Sequence, residues 1–412
     1  MHLKPAHKAK LSLATVFFTF FIDNLSWSIV FPIFAPYFLD PNNQTFSGDV
    51  SLETRATLLG FFLMAFSLGQ FLGAPFLGEY ADKHGRKQAL VVSVFFTLVG
   101  FILTAWSMGV GNLYFLFLGR LIAGVFAGNM SICLACVSDI STDEKSRVKN
   151  FGRLSMIAGL SFIMGAFFGG KLSDSSIESI FRPDLPLWIG SGLTAVNLIF
   201  LIFSFQETGT IDKNVSFNLL ESFHNLREAL QTERIKRTYS IYFLFVFAWT
   251  ILLQFTPVLV VRKFEFSNSD IGNLALFMGG FWALGSSYLR KLALHWFAPL
   301  KILEICLLGF TVLCGLVIIP RHSYGAMGLL AICAMIGGLA WPLCTNVISQ
   351  AAPRHMQGKI LGISQSVQSL AMALAPAIGG LVYQIYLGFP FMLGASASLA
   401  AGIIYFTLKD RS

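Results

Sequence analysis

Stretches of twenty or so nearly uninterrupted apolar residues alternate with short polar ones along the whole chain. An α-helix needs about 20 such residues to cross the ~30 Å hydrocarbon core of a bilayer. Twelve runs meet that length, at about 11–39, 54–77, 88–107, 112–137, 151–170, 186–205, 238–262, 270–288, 300–319, 325–348, 358–385 and 388–408. In hydrocarbon the backbone must satisfy its own hydrogen bonds within each segment, so the runs predict an all-α integral membrane fold of 12 transmembrane helices.

The longest polar stretch, QETGTIDKNVSFNLLESFHNLREALQTERIKR, follows the sixth run. It divides the chain into two six-helix bundles, 1–205 and 238–412, joined by a cytoplasmic linker, 206–237. Within the linker, Leu219, Leu220, Phe223, Leu226 and Leu230 recur at helical spacing and predict an amphipathic helix. The halves also echo each other at an offset of 210 residues. Gly69 falls on Gly279, Gly128 on Gly338, Lys149 on Lys359, Gly152 on Gly362, and Gly169–Gly170 on Gly379–Gly380. Duplicated halves are a common plan of secondary transporters, whose substrate site lies between the repeats near mid-membrane.

Composition supports the membrane reading: mean hydropathy is +0.69 and 55% of residues are hydrophobic, 42 of them Phe. The net charge of +8 invites a nucleic-acid reading, but its distribution rejects it. Of 29 Lys and Arg, 22 lie on one side of the predicted spans, 6 on the other, and Arg120 alone within one. Basic residues favour the cytoplasmic side, so both termini are expected there. The basic start MHLKPAHKAK leads into a run too long for a signal peptide, and a retained first helix is expected. All six cysteines fall within predicted helices and read as core- or lipid-facing thiols. The seven histidines lie in loops or tails, so no metal cluster is indicated. No nucleophile or metal constellation of an enzyme is apparent, and no cofactor is implied. GAFFGGKL imitates a phosphate-binding loop, but Leu172 stands where a hydroxyl residue belongs and no strand precedes it, so no nucleotide is expected.

The decapeptide GEYADKHGRK, between the second and third runs, concentrates six ionisable side chains in a chain that is 12% charged. Its Gly78, Asp82, Gly85, Arg86 and Lys87 resemble the G-x-x-x-D-x-x-G-R-[KR] signature of the major facilitator superfamily. GRLIAGVFAGN in the fourth run resembles that family's R-x-x-x-G-x-x-x-G element through Arg120, Gly124 and Gly128. DISTDEKSRVKNFG resembles its loop between helices four and five, with Asp139, Arg147 and Gly152 matching. The resemblance implies two pseudo-symmetric six-helix bundles that rock against each other in alternating access. It further implies a cytoplasmic latch of Gly78, Asp82, Gly85, Arg86 and Lys87, with Asp139 a partner for Arg86 and Arg147 beside it.

In the first run, FIDNLSWSIVFPIFAPYF resembles the first helix of the drug:proton antiporter branch, where an acid at the place of Asp23 is linked to proton or cation binding. Asp23 lies about twelve residues into its run, roughly 18 Å from the inner end. A carboxylate so far from water is costly to keep charged and suited to exchanging a proton, with Arg120 modulating it. A structural Asp23–Arg120 ion pair is the alternative. The branch usually carries G-P-x-x-G-G in helix five; here the stretch is GAFFGG, with Ala166 at the proline position. That departure leaves import or symport open beside export.

Polar residues within apolar runs are candidates for a substrate cavity: Asn24, Trp27, Gln70, Asn129, Tyr242, Trp249, Gln254, Asn346, Gln365 and Gln368. Aromatic rings beside amides suit amphiphilic or partly cationic compounds. Hydrogen bonding between helices is the alternative for each. Gly124, Gly128, Gly165, Gly169, Gly170, Gly379 and Gly380, with Pro376, are expected to set helix packing. The sequence therefore points to a proton-coupled exporter of small amphiphilic compounds in a bacterial inner membrane. It is expected to act as a monomer with protons, a small-molecule substrate and the lipid bilayer as its partners. A proton-coupled importer, or a siderophore or metabolite carrier, is the second reading. A membrane receptor without transport is the third.

Overall fold

The structure, a computed structural model, describes residues 5–46, 50–141, 143–209, 233–350 and 357–409. Among the described residues it consists of helices joined by short turns, with no strand. In chain order these are α1 Pro5–Ser28, α2 Phe31–Leu39, α3 Leu52–His84, α4 Arg86–Val110, α5 Leu113–Phe126, α6 Met130–Ile140, α7 Glu144–Leu172 and α8 Leu185–Ser204. After the linker come α9 Glu233–Phe264, α10 Asn268–Leu284, α11 Arg290–Trp296, α12 Pro299–Leu316, α13 Ser323–Gln350, α14 Gln357–Tyr383 and α15 Phe389–Lys409. The amphipathic helix expected around Leu219–Leu230 lies outside the described residues.

Among the described residues, eleven helices are long and apolar enough to cross a membrane, α1–α2 and α5–α6 each counting as one. The eighth run, 270–288, is not one regular span. α10 stops after 17 residues at Leu284, Gly285–Leu289 widens into a π turn, and α11 continues as helix. The cause is local. Gly285 lies against the backbone of Met335 on α13, a crossing that a side chain would obstruct.

The chain divides into two compact units. The first takes the chain up to Ile33 and again from Ala65 through α8. Its tightest crossing is α3 against α5. Gly69 would place a Cβ 2.6 Å from Val125 N and 2.7 Å from Leu121 O, while Gly124 abuts the carbonyl of Phe66. Small residues four apart bring two backbones into direct contact, which is how helices associate where no water drives them together. At one end of the unit, Val16, Phe20, Leu77, Ala89, Leu90, Cys133, Cys136, Val137, Leu154 and Leu201 form a closed apolar core. That core supports the loop between α3 and α4.

The second unit takes Phe34–Met64 together with α9 and all that follows. Arg55 organises its first stretch: Nη1 donates to Asp40 O at 2.7 Å, Nε to Val50 O at 3.2 Å, and the guanidinium covers the Phe46 ring at 4.7 Å. Thr57 Oγ1 donates to Gly380 O at 2.8 Å and accepts from Gln384 Nε2 at 2.9 Å, joining the start of α3 to α14. α9 is the most enclosed span of the chain.

Gly124→Val should lower the thermal unfolding midpoint of detergent-purified protein, by an amount equivalent to about 1–3 kcal/mol of overpacking. Gly78→Ala should leave it unchanged or raise it, because a Cβ there meets nothing within 4 Å. Equal midpoints for the two variants would refute the assigned crossing.

Candidate functional site

Two interruptions of helix bring the first unit's buried polar groups together. α1 ends at Ser28, two residues intervene, and α2 begins at Phe31, because Pro32 supplies no N–H to continue the ladder. Between α5 and α6 the helix tightens to a single 3₁₀ turn, Ala127–Asn129. A switch of pitch frees carbonyls that hydrocarbon cannot satisfy. Ser93 Oγ donates to Phe126 O at 2.6 Å and Gln70 Nε2 to Ala127 O at 3.5 Å. The 3₁₀ turn places Asn129, fully buried, in the same unit as Asp23, which is half-buried on α1. Neither side-chain atom of Asn129 nor Asp23 Oδ2 completes a hydrogen bond of ordinary geometry. Both side chains thus keep hydrogen-bonding capacity to spare.

Arg120, 2% exposed on α5, has its guanidinium over the Phe66 ring at 4.5 Å. The ring face stabilises a cation in a low-dielectric site.

The charged loop between α3 and α4 folds round Gly85, whose φ of 94° lies in the left-handed region open to glycine. Arg86 Nη1 meets Asp82 Oδ1 at 2.9 Å, and its Nε lies 3.7 Å from Asp139 Oδ2 at the end of α6. Lys87 Nζ donates to Ile202 O at 2.9 Å. Arg147 is exposed, and Gly78 sits mid-helix with free space beside it.

Sequence reasoning passed over Glu207, the acid just after α8. Gly85 has no side chain to cap α4, so the first amides of that helix need an acceptor from elsewhere. Glu207 supplies it: Oε1 accepts from Arg86 N at 2.9 Å and Oε2 from Lys87 N at 3.0 Å. Oε1 also accepts from Thr208 N and Gly209 N at 3.0 and 3.1 Å. A carboxylate at a helix N-terminus is favoured by the helix dipole. The one signal for it was a lone acid at the boundary of an apolar run.

The other cavity candidates scatter. Asn24 Nδ2 donates to Phe20 O on its own helix at 2.8 Å, and the Trp27 ring lies 5.5 Å from Phe162. In the second unit, Tyr242 OH donates to Gln368 Oε1 at 2.8 Å, linking α9 to α14. Trp249 stands 4.6 Å from Trp282, which lies 5.9 Å from Trp341, so three indoles from α9, α10 and α13 share one cluster. Gln254 and Gln365 are half-buried and Asn346 is exposed. Among the packing candidates, Gly128 meets Ala74, Gly165 meets Leu25 and Ser28, and Gly169 meets Ile29. Gly379 meets Phe255, Gly380 meets Thr57, the Pro376 carbonyl meets Gly60, and Gly170 is buried.

The family profile described as Major Facilitator Superfamily matches residues 16–376 and 297–412. The chain is 26% identical over 344 residues to the class H tetracycline resistance protein of Pasteurella multocida, covering 81% of each chain. It is 24% identical over 407 residues to multidrug resistance protein 1 of Bacillus subtilis, covering 96% of this chain and 95% of that one. The quinolone resistance protein NorA of Staphylococcus aureus is 25% identical over 407 residues, with 96% of each covered. Among solved structures, a D-xylose–proton symporter superposes with a TM-score of 0.73 at 16% identity, covering 96% of each chain. The human organic anion transporter TETRAN gives 0.72 at 19% identity, covering 98% of this chain and all of the other.

Glu207→Ala should expose the first amides of α4, raising hydrogen exchange at Arg86 and Lys87 several-fold, as expected for losing a cap of about 1 kcal/mol. Glu207→Gln should give a smaller rise. Unchanged exchange in the alanine variant would eliminate Glu207 as the cap of α4.

Proposed function

The chain belongs to the major facilitator superfamily of membrane transporters, and from that premise we propose that it exports small amphiphilic compounds in exchange for protons. The observation that carries this reading is the placement of Asp23 just before the break between α1 and α2, with the buried Asn129 in the 3₁₀ turn between α5 and α6 and hydrogen-bonding capacity unused on both. Asp23 is the proton carrier: protonated it is neutral and tolerates burial, and deprotonated it calls for water, Asn129 or a cationic substrate. Arg120, held over Phe66, sets the local potential around the carboxylate. The Asp82–Arg86–Asp139 contacts, with Glu207 beneath, latch the cytoplasmic side during alternating access.

Relatives that match along most of their length are named for resistance to tetracycline, to multiple drugs and to quinolones, which supports export of such compounds. Both termini face the cytoplasm, the protein resides in the inner membrane of a bacterium, and it works as a monomer of two six-helix bundles, 1–205 and 238–412. The indole cluster and the Tyr242–Gln368 bond lie on the second unit's contribution to the substrate path. One observation favours a second reading: Ala166, fully buried on α7, occupies the place of the proline that marks exporters. Under that reading the protein is a proton-coupled importer, taking up a siderophore or metabolite.

Purified protein in liposomes with an internal pH dye should release protons from the compartment that a lipophilic cation enters. Proton movement along with the substrate would instead establish symport. Asp23→Asn should reduce proton-driven flux by more than about tenfold while substrate binding and thermal stability persist. Wild-type pH dependence in that variant would eliminate Asp23 as the carrier.

A further inference from the structure

The offset of 210 residues that relates the two halves sets the latch decapeptide Gly78–Lys87 against Tyr288–Phe297. There Asp82 is replaced by Leu292, Gly85 by His295, Arg86 by Trp296 and Lys87 by Phe297. The acid, the positive-φ glycine and the arginine are all gone, so the second half has no counterpart of the latch. In its place is the π turn followed by α11 and the start of α12, GSSYLRKLALHWFAPLK.

This segment has three properties in combination. It is exposed and apolar: Tyr288 is 67% accessible, Trp296 72%, Phe297 52%, Leu300 47% and Leu292 46%. It is basic, carrying Arg290, Lys291, His295 and Lys301, and no acidic residue occurs between Asp270 and Glu304. Lys301 is bonded to Glu304, and among the described residues Arg290 and Lys291 enter no ion pair. It also overreaches the hydrocarbon: from Asn268 to Trp296 the helix is roughly 40 Å long at 1.5 Å per residue, against ~30 Å of lipid core. Its last two turns therefore lie at headgroup depth. Tyr and Trp favour that level, and lysine and arginine beside them attract anionic lipid.

We propose that Tyr288–Lys301 is a docking surface for the headgroups of anionic phospholipids. The aromatic and leucine side chains seat among the upper acyl carbons, and Arg290 and Lys291 contact the phosphates. The charge of the patch selects this occupant, because an apolar protein partner would not call for unopposed cations at its rim. The inference needs only membrane insertion and holds for either direction of transport.

All six native cysteines are buried, so Trp296→Cys can be labelled selectively with a fluorophore in the full-length protein. The labelled protein is reconstituted into vesicles containing a headgroup-quencher form of either phosphatidylglycerol or phosphatidylcholine. The anionic quencher should be at least about twofold more effective, and Arg290→Gln with Lys291→Gln should bring the ratio close to one. Equal quenching by both lipids, or a preference unmoved by the double substitution, would overturn the proposal. Self-quenching that rises with protein density would overturn it in favour of a second copy of this chain as the occupant. A label at Leu294→Cys, also exposed, gives an independent reading if the Trp296 variant folds poorly.

Discussion

A peptide group in hydrocarbon has no water to turn to, and every structural feature of this chain follows from that constraint. Regular helix is the default solution, and departures from it are confined to places where side chains meet the freed backbone. Ser93 and Gln70 donate to the carbonyls at the tightened turn Ala127–Asn129, and the gap between α1 and α2 falls at a proline. These irregularities coincide with the chemistry. Asp23 stands six residues before one break and the buried Asn129 within the other.

The same constraint explains the small residues. With no hydrophobic drive between helices, contact has to come from close approach, and α3 and α5 achieve it by stacking glycines on each other's backbone. Arg120 rides on this crossing. Its guanidinium reaches Phe66, the residue whose carbonyl abuts Gly124, so the packing that binds the helices also sets the surroundings of the charge.

Features carried by composition and period were legible in the sequence; features carried by distant chain segments were not. Apolar length marked the spans because bilayer thickness dictates it. Asp82, Gly85 and Arg86 were legible through the resemblance to a family signature, and the structure supplies the physical reason: the glycine has positive φ and the acid and arginine pair at i, i+4. Glu207 was not, since its role comes from meeting a helix 120 residues earlier in the chain. The π turn at Gly285–Leu289 also left no mark in the apolar pattern, because a helix widens there to accommodate the backbone of Met335 rather than any change in polarity.

Phe34–Met64 lies among the first spans to be synthesised, yet it packs with the second unit. Its bonds from Thr57 run to Gly380 and Gln384, more than 320 residues onward. The second unit is therefore complete only once segments from distant parts of the chain have met. Contacts of such separation close late and slowly. Arg55, by contrast, ties Asp40 and Val50 to the start of α3 through bonds at most 15 residues apart, so the shape of this stretch is set by its own sequence neighbourhood.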